Sequence, residues 1–183
     1  IVSVYDCIVG DDGQPYVVMD FLKGHSLDQI LQEKGRFDQR TLARVGSQVA
    51  AAVGHAHRNE VIHRDLKPAN IMLVDDINHD STGGGAVKSI VKVVDFGLAK
   101  LGEDSRRLTN SGELWGSPPY MSPEQIKGAV VDGRADIYAL GAVIFEMATG
   151  KDPFWGAGVY ELLHKHVYEE PPTLKEACPE EDF

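Results

Sequence analysis

Apolar residues change rhythm several times along the chain, and each rhythm predicts a different element. Ile1 to Tyr5 and Tyr16 to Asp20 are rich in Val, Ile and Tyr and flank Gly10-Asp11-Asp12-Gly13, the pattern of a β-hairpin. Ser26 and Gln29 then stand at capping-box spacing ahead of Leu27, Ile30 and Leu31, which predicts a short helix ended by Gly35. A longer helix is expected from about Arg40 to Arg58, with Leu42, Val45, Val49 and Val53 on one face. From Val61 the pattern turns to short apolar runs, read as strands at Val61-Ile62, Ile71 to Val74 and Val91 to Val94. The polar stretch between the last two, residues 75–90 with Gly83-Gly84-Gly85, is long for a hairpin loop and reads as an insertion. Ser122-Pro123-Glu124 marks a helix start closed by Gly128. Ala135 to Thr149 is apolar nearly all round, predicting a buried helix that stops at Gly150. Val159 to Tyr168 is a further helix, stopped by Pro171-Pro172. A few strands followed mostly by helices give an α+β fold class.

Composition narrows the partners. The chain has 183 residues, 43% of them hydrophobic, enough for one cored domain. Its net charge of −10 argues against nucleic acid or an anionic membrane as the main partner. Part of that charge is local: from Glu169 onward six carboxylates face only Lys175, and this reads as a solvated tail or loop. Cys7 and Cys178 form no C-x-x-C pair and fit a reducing, cytoplasmic setting without a disulfide framework or zinc knuckle. The longest apolar stretch, Tyr138 to Thr149, is interrupted by Glu146 and is too short to cross a bilayer. There is no signal peptide, and the first residue is Ile rather than Met, so the chain is expected to be a piece of something longer.

The chemistry concentrates at two strand ends. His63-Arg64-Asp65-Leu66-Lys67-Pro68-Ala69-Asn70 follows one apolar run, and Asp95-Phe96-Gly97 follows another. Asp65 is a carboxylate able to accept a proton from an attacking hydroxyl. Lys67 is a compact cation able to reach a transferring phosphate. Asn70 and Asp95 offer one neutral and one anionic hard oxygen ligand, suited to Mg²⁺ (or Mn²⁺). Gly97 permits a sharp turn just after the metal ligand. Together these describe phosphoryl transfer from a nucleotide. The H-x-H pairs His55/His57 and His164/His166 do not share a helix face and read as solvated or packing residues, and Trp115 and Trp155 as packing residues.

The segments PYVVMDFLKGHSL, HRDLKPANIML, KVVDFGLAK, GSPPYMSPEQ and RADIYALGAVIFEMATGKDPF resemble the catalytic domain of eukaryotic-type Ser/Thr protein kinases, most closely the bacterial members. The resemblance implies a kinase fold with residues 1–24 as small-lobe strands and hinge, and 25–183 as large lobe. Residues 75–90 would be an insertion and 95–124 the activation segment. It implies Asp65 as catalytic base, Lys67 as phosphate contact, and Asn70 and Asp95 as metal ligands. ATP would be bound by Met19 as gatekeeper, the backbone of Asp20 and Leu22 as hinge, and Met72 under the adenine. His63 and Phe96 match the hydrophobic column between the lobes, and Asp136 the acid that braces the catalytic loop. Arg64 would receive a phosphate on the activation segment, with Thr109 and Ser111 the candidate acceptors. Ser117 would contact the catalytic Asp and the substrate pocket. The implied partners are ATP, protein substrates and a second copy of the kinase for trans-autophosphorylation.

The chain departs from the family pattern in lacking a G-x-G-x-x-G loop, the third-strand lysine and the helix that carries its Glu partner. The Arg expected to pair with Glu124 is also outside it. The piece alone is therefore expected to be nearly inactive and marginally stable. Bacterial relatives often carry a membrane span beyond this segment, so the cytoplasmic assignment covers these residues only. A pseudokinase serving as a scaffold is the competing reading, but Asp65, Lys67, Asn70 and Asp95 are all in place. A small-molecule phosphotransferase would lack the segment ending in GSPPYMSPEQ.

Overall fold

A computed structural model of the chain describes residues 1–75, 89–96 and 116–180. Strands β1 (Val4–Val9) and β2 (Pro15–Met19) form an antiparallel hairpin, with Cys7 opposite Val17 and Val9 opposite Pro15. Its turn closes through Gly10 N–H to the Gln14 carbonyl at 2.8 Å. The first strand lies later than the apolar run alone suggests. Val2 is drawn out of the hairpin because its N–H donates to the Val93 carbonyl at 3.1 Å, and its side chain is buried.

A second sheet has the order β3 (Gly24–Ser26), β4 (Ile71–Asp75), β5 (Ser89–Val93), all antiparallel. β3 carries no apolar alternation to announce it. It forms because Gly24 lets two backbones meet: a Cβ there would collide with the Leu73 carbonyl oxygen. The strand expected at Val61-Ile62 is absent. After helix α2 (Gln39–Arg58) the chain turns through Glu60 at φ 59°, and Val61 N–H folds back onto the Ala56 carbonyl at 3.0 Å. A donor spent on closing the helix end is not available to a sheet.

The helices follow their caps. α1 (Leu27–Lys34) starts at Ser26 with both arms of the capping box formed and ends at Gly35. α2 starts one residue before the sequence pattern indicated because Asp38 accepts from Thr41 N–H at 3.0 Å. α3 (Pro123–Ile126) repeats the capping box with Ser122 and Gln125. α4 (Arg134–Thr149) buries most of its circumference, the stripe of Arg134, Ile137 and Gly141 excepted, and stops at Gly150 with φ 73°, where the N–H reaches the Glu146 carbonyl at 2.7 Å. α5 (Val159–Tyr168) and the single-turn α6 (Leu174–Ala177) complete the described α-helices, with 3₁₀ turns at Pro68–Asn70 and Pro118–Tyr120.

The core lies between α2, α4, α1 and the β4–β5 pair, and includes Leu27, Val45, Val49, Leu66, Ile71, Val93, Val143 and Met147. Burying each such side chain stabilises by roughly 1.5–3 kcal/mol before entropy is counted. Gln48 of α2 accepts from Val91 N–H at 3.0 Å, and Phe37 N–H donates to the Met147 carbonyl at 2.8 Å, so helices and sheet are also joined by hydrogen bonds. On this frame, residues 63–70 are held between the end of α2 and the start of β4.

Candidate active site

The loop from His63 to Asn70 is held from below by one carboxylate. Asp136, fully buried in the first turn of α4, accepts from His63 N–H through Oδ2 and from Arg64 N–H through Oδ1, each at 2.8 Å. His57 of α2 adds a third donor, its Nε2 lying 2.7 Å from Asp136 Oδ2. That partnership was not apparent in the sequence, where His57 is one of an H-x-H pair seventy-nine positions from the acid. The signal that could have found it is its place in the last turn of an amphipathic helix leading directly into the loop.

His63 is itself fully buried. Its Nε2–H donates to the Val94 carbonyl at 2.9 Å, which leaves Nδ1 as the acceptor for Asp65 N–H at 3.3 Å. Desolvation pushes the ring pKa below 6.5, against the Val94 bond and the charges of Asp136 and Asp65, which favour the protonated form. Phe96 packs on the ring at 4.6 Å between centroids. The imidazole thus joins the loop to the end of β5 through Val94 and Phe96, either side of Asp95.

Above this base, Asp65 and Lys67 meet. Lys67 Nζ lies 2.7 Å from Asp65 Oδ2, and both side chains remain about a third exposed, at 28% and 30%. Lys67 also donates to Ser117 Oγ at 2.8 Å, bringing in a residue 50 positions away. Asn70 is buried, and its Nδ2 donates to the Asp65 carbonyl at 2.9 Å. Its own carbonyl accepts from Val94 N–H at 2.9 Å, which places Asp95 immediately beyond the Asn70 backbone. Asp95 adopts φ 63°, left-handed for a residue with a Cβ, a strained geometry of the kind found where a side chain must be aimed.

Asn70 Nδ2 is committed to the loop, so its Oδ1 is the end left to ligate. Among the described residues no hydrogen bond is made by that oxygen or by the Asp95 carboxylate. One neutral and one anionic oxygen donor fit Mg²⁺ or Mn²⁺, both of which favour hard oxygen ligands.

The other expected site residues are distributed as follows. Met19 ends β2, Asp20 and Leu22 lie in the link to β3, and Met72 lies on β4 opposite Ser26. Asp20 accepts from the Tyr5 hydroxyl, and its N–H donates to the Ser3 carbonyl at 3.0 Å, fixing the link against β1. Glu124 sits half-buried in the first turn of α3. Gly97, Thr109, Ser111 and Trp115 lie outside the described residues, as do residues 76–88 of the expected insertion. Trp155 is not a packing residue: it is 77% exposed, with Lys165 Nζ 4.8 Å over its ring.

Besides the Lys67–Ser117 bond, two contacts between side chains and the body tie residues 116–126 in place. Tyr120 donates its hydroxyl to Glu146 Oε2 at 2.8 Å, and burial, reinforced by the Glu146 charge, pushes the phenol far above its ordinary range. Gln125 Nε2 donates to the Arg64 carbonyl at 2.7 Å. Neither contact could be paired from the sequence, since both join segments far apart in the chain.

Compared with known proteins, residues 1–181 match the protein kinase domain. Serine/threonine-protein kinase pkn3 of Myxococcus xanthus is 38% identical over 182 residues, covering 98% of this chain and 32% of that protein. PrkC of Bacillus subtilis, a serine/threonine-protein kinase, is 36% identical over 179 residues, covering 98% of this chain and 26% of its own. A probable serine/threonine-protein kinase of Clostridium acetobutylicum is 39% identical over 170 residues, covering 92% and 24%. The chain spans between about a quarter and a third of the length of these relatives.

Proposed function

The chain belongs to the protein kinase domain family, and from that premise we propose that it carries the catalytic machinery of an ATP-dependent serine/threonine protein kinase. The observation that carries the reading is the contact chain Asp65–Lys67–Ser117, at 2.7 and 2.8 Å, directly above a buried brace. A substrate hydroxyl placed against Asp65 gives its proton to the carboxylate as its oxygen bonds to the γ-phosphorus. The bond from that phosphorus to the bridging oxygen breaks, and ADP leaves. Lys67 offsets charge on the transferring group, and Ser117 keeps its ammonium over Asp65. Mg²⁺ or Mn²⁺ held by Asn70 and Asp95 would supply further positive charge at the phosphates. Met19 and Met72 form the apolar contacts for adenine, and the backbone of Asp20 and Leu22 offers its hydrogen bonds.

Proteins are the substrates in this reading, and a second copy phosphorylates the segment containing Thr109 and Ser111, with Arg64 receiving the phosphate. The setting is cytoplasmic for these residues. Among the described residues, no helix is long and apolar enough to cross a membrane.

The test is phosphate incorporation from labelled ATP by the full-length protein, alone and with a Ser/Thr-rich protein substrate. Asp65→Asn is expected to lower incorporation by at least about a hundredfold. Equal incorporation in both proteins refutes Asp65 as the base. ATP binding without transfer by the unaltered protein would instead favour a scaffolding pseudokinase.

A further inference from the structure

We infer that Gln125 is a positioning residue for Asp65, acting through the peptide unit between Arg64 and Asp65; the inference rests on the proposed kinase reading. Arg64 adopts φ 69°, a conformation that an L-residue with a side chain does not hold unaided. Its N–H is held by Asp136 Oδ1 at 2.8 Å, and its carbonyl accepts from Gln125 Nε2 at 2.7 Å. The N–H at the other end of the same peptide unit, that of Asp65, donates to His63 Nδ1 at 3.3 Å. Both polar ends of the plane from which Asp65 departs are therefore fixed by side chains. Of these, Gln125 alone belongs to the segment that follows the activation segment's core.

The orientation of the Gln125 amide is set by its other end. Oε1 accepts from Ser122 N–H and from Ser122 Oγ, each at 3.1 Å, in the capping box of α3. Turning the amide over would set its NH₂ against the Ser122 N–H and its oxygen against the Arg64 carbonyl, so Nε2 must face Arg64. Ser122 is fully buried, which anchors the amide at that end. One glutamine thus joins the first turn of α3 to the backbone of the catalytic loop. Without the donor, the Arg64 carbonyl loses its bond to the first turn of α3. The 64–65 plane is then held at one polar end only, through the Asp65 N–H, and the Asp65 carboxylate is placed less firmly.

Two substitutions separate this role from helix capping. Gln125→Glu keeps an oxygen for the capping box but removes the donor to Arg64, whereas Ser122→Ala breaks the capping box and leaves the donor in place. In the full-length protein, Gln125→Glu is expected to lower kcat by about tenfold or more while KM for ATP and for a peptide substrate stays within about twofold. Gln125→Met, of similar length, should do the same, and it serves if the glutamate variant folds poorly. Ser122→Ala should keep kcat within about twofold of the unaltered protein. Hydrogen exchange at the Arg64 and Asp65 amides, measured whether or not the protein transfers phosphate, should quicken in Gln125→Glu and not in Ser122→Ala. Unchanged exchange and kcat in Gln125→Glu overturn the inference, as does a loss that Ser122→Ala reproduces. An unaltered protein with no transfer but the expected exchange pattern would instead count against the kinase reading alone.

Discussion

The hairpin β1–β2 and the helix pair α2–α4 are both rich in apolar residues, yet their fates differ. Val45, Val49 and Val143 of the helices are no more than 1% exposed, whereas Val9 is 74% and Tyr5 68% exposed in the hairpin, and Phe21 just beyond it 88%. The helices find each other and the β5 strand, while each hairpin strand has one partner strand and no fully buried residue, only Val17 and Met19 being partly covered. Apolar patterning therefore specifies what an element can bury, and the tertiary neighbours decide whether it does. The candidate site sits on the side of this divide where burial is complete: Asp136 and His63 are both inaccessible, and the reactive pair Asp65–Lys67 stands just above them.

The most severe way to break the contrast is to remove the buried acid. Asp136→Ala leaves two loop amides and the His57 ring without their acceptor, and should destabilise the body by about 3–5 kcal/mol in urea unfolding. A loss below about 1 kcal/mol would mean that the brace is not part of the cooperative core. Leu27→Ala, at a site with no exposure, should follow at about 2–4 kcal/mol by the same measurement.

Acid sharpens the comparison next, because the titrating rings lie in the body. Burial lowers the pKa of both His63 and His166, so the folded rings refuse a proton that the unfolded chain takes up near about pH 6.5. The unfolded state then binds more protons below that pH. Stability is full above it and falls as pH drops through it toward the depressed folded values. Urea midpoints at neutral and mildly acidic pH should show this fall, and His166→Phe should make it shallower; an identical slope in the variant would count against the buried-ring account.

The smallest effect is expected in the hairpin. Val9→Thr should change stability by no more than about 0.5 kcal/mol while reducing self-association at high protein concentration, seen by light scattering. A large loss of stability there would show that the hairpin's apolar side chains are buried in solution after all.

Local chemistry explains most of what was legible in the sequence. Ser26 with Gln29, and Ser122 with Pro123, place helix starts because caps involve only residues within one turn, and Gly150 stops α4 through its own left-handed φ. The Asp65, Lys67, Asn70 and Asp95 positions were legible as a motif, since their side-chain types and spacing carry the chemistry. Val61-Ile62 was misread because its propensity is that of a strand, while the Val61 N–H is taken by the end of α2. β3 was missed because Gly24, His25 and Ser26 have little strand character, and only the approach of β4 makes them one.

By itself the sequence determined α1 to α5, the hairpin and the candidate reactive groups, all properties of residues close in the chain, whereas α6 falls in the acidic stretch that reads as a tail or loop. Only the tertiary structure decided that Asp136 would gather His57, His63 and Arg64, that Ser117 would hold Lys67, and that Gln125 would meet the Arg64 carbonyl. Those contacts span tens of residues, and no local preference encodes them. They exist because packing α4 against α2, and seating α3 on the loop that follows α2, leaves buried polar groups that must find partners inside the protein.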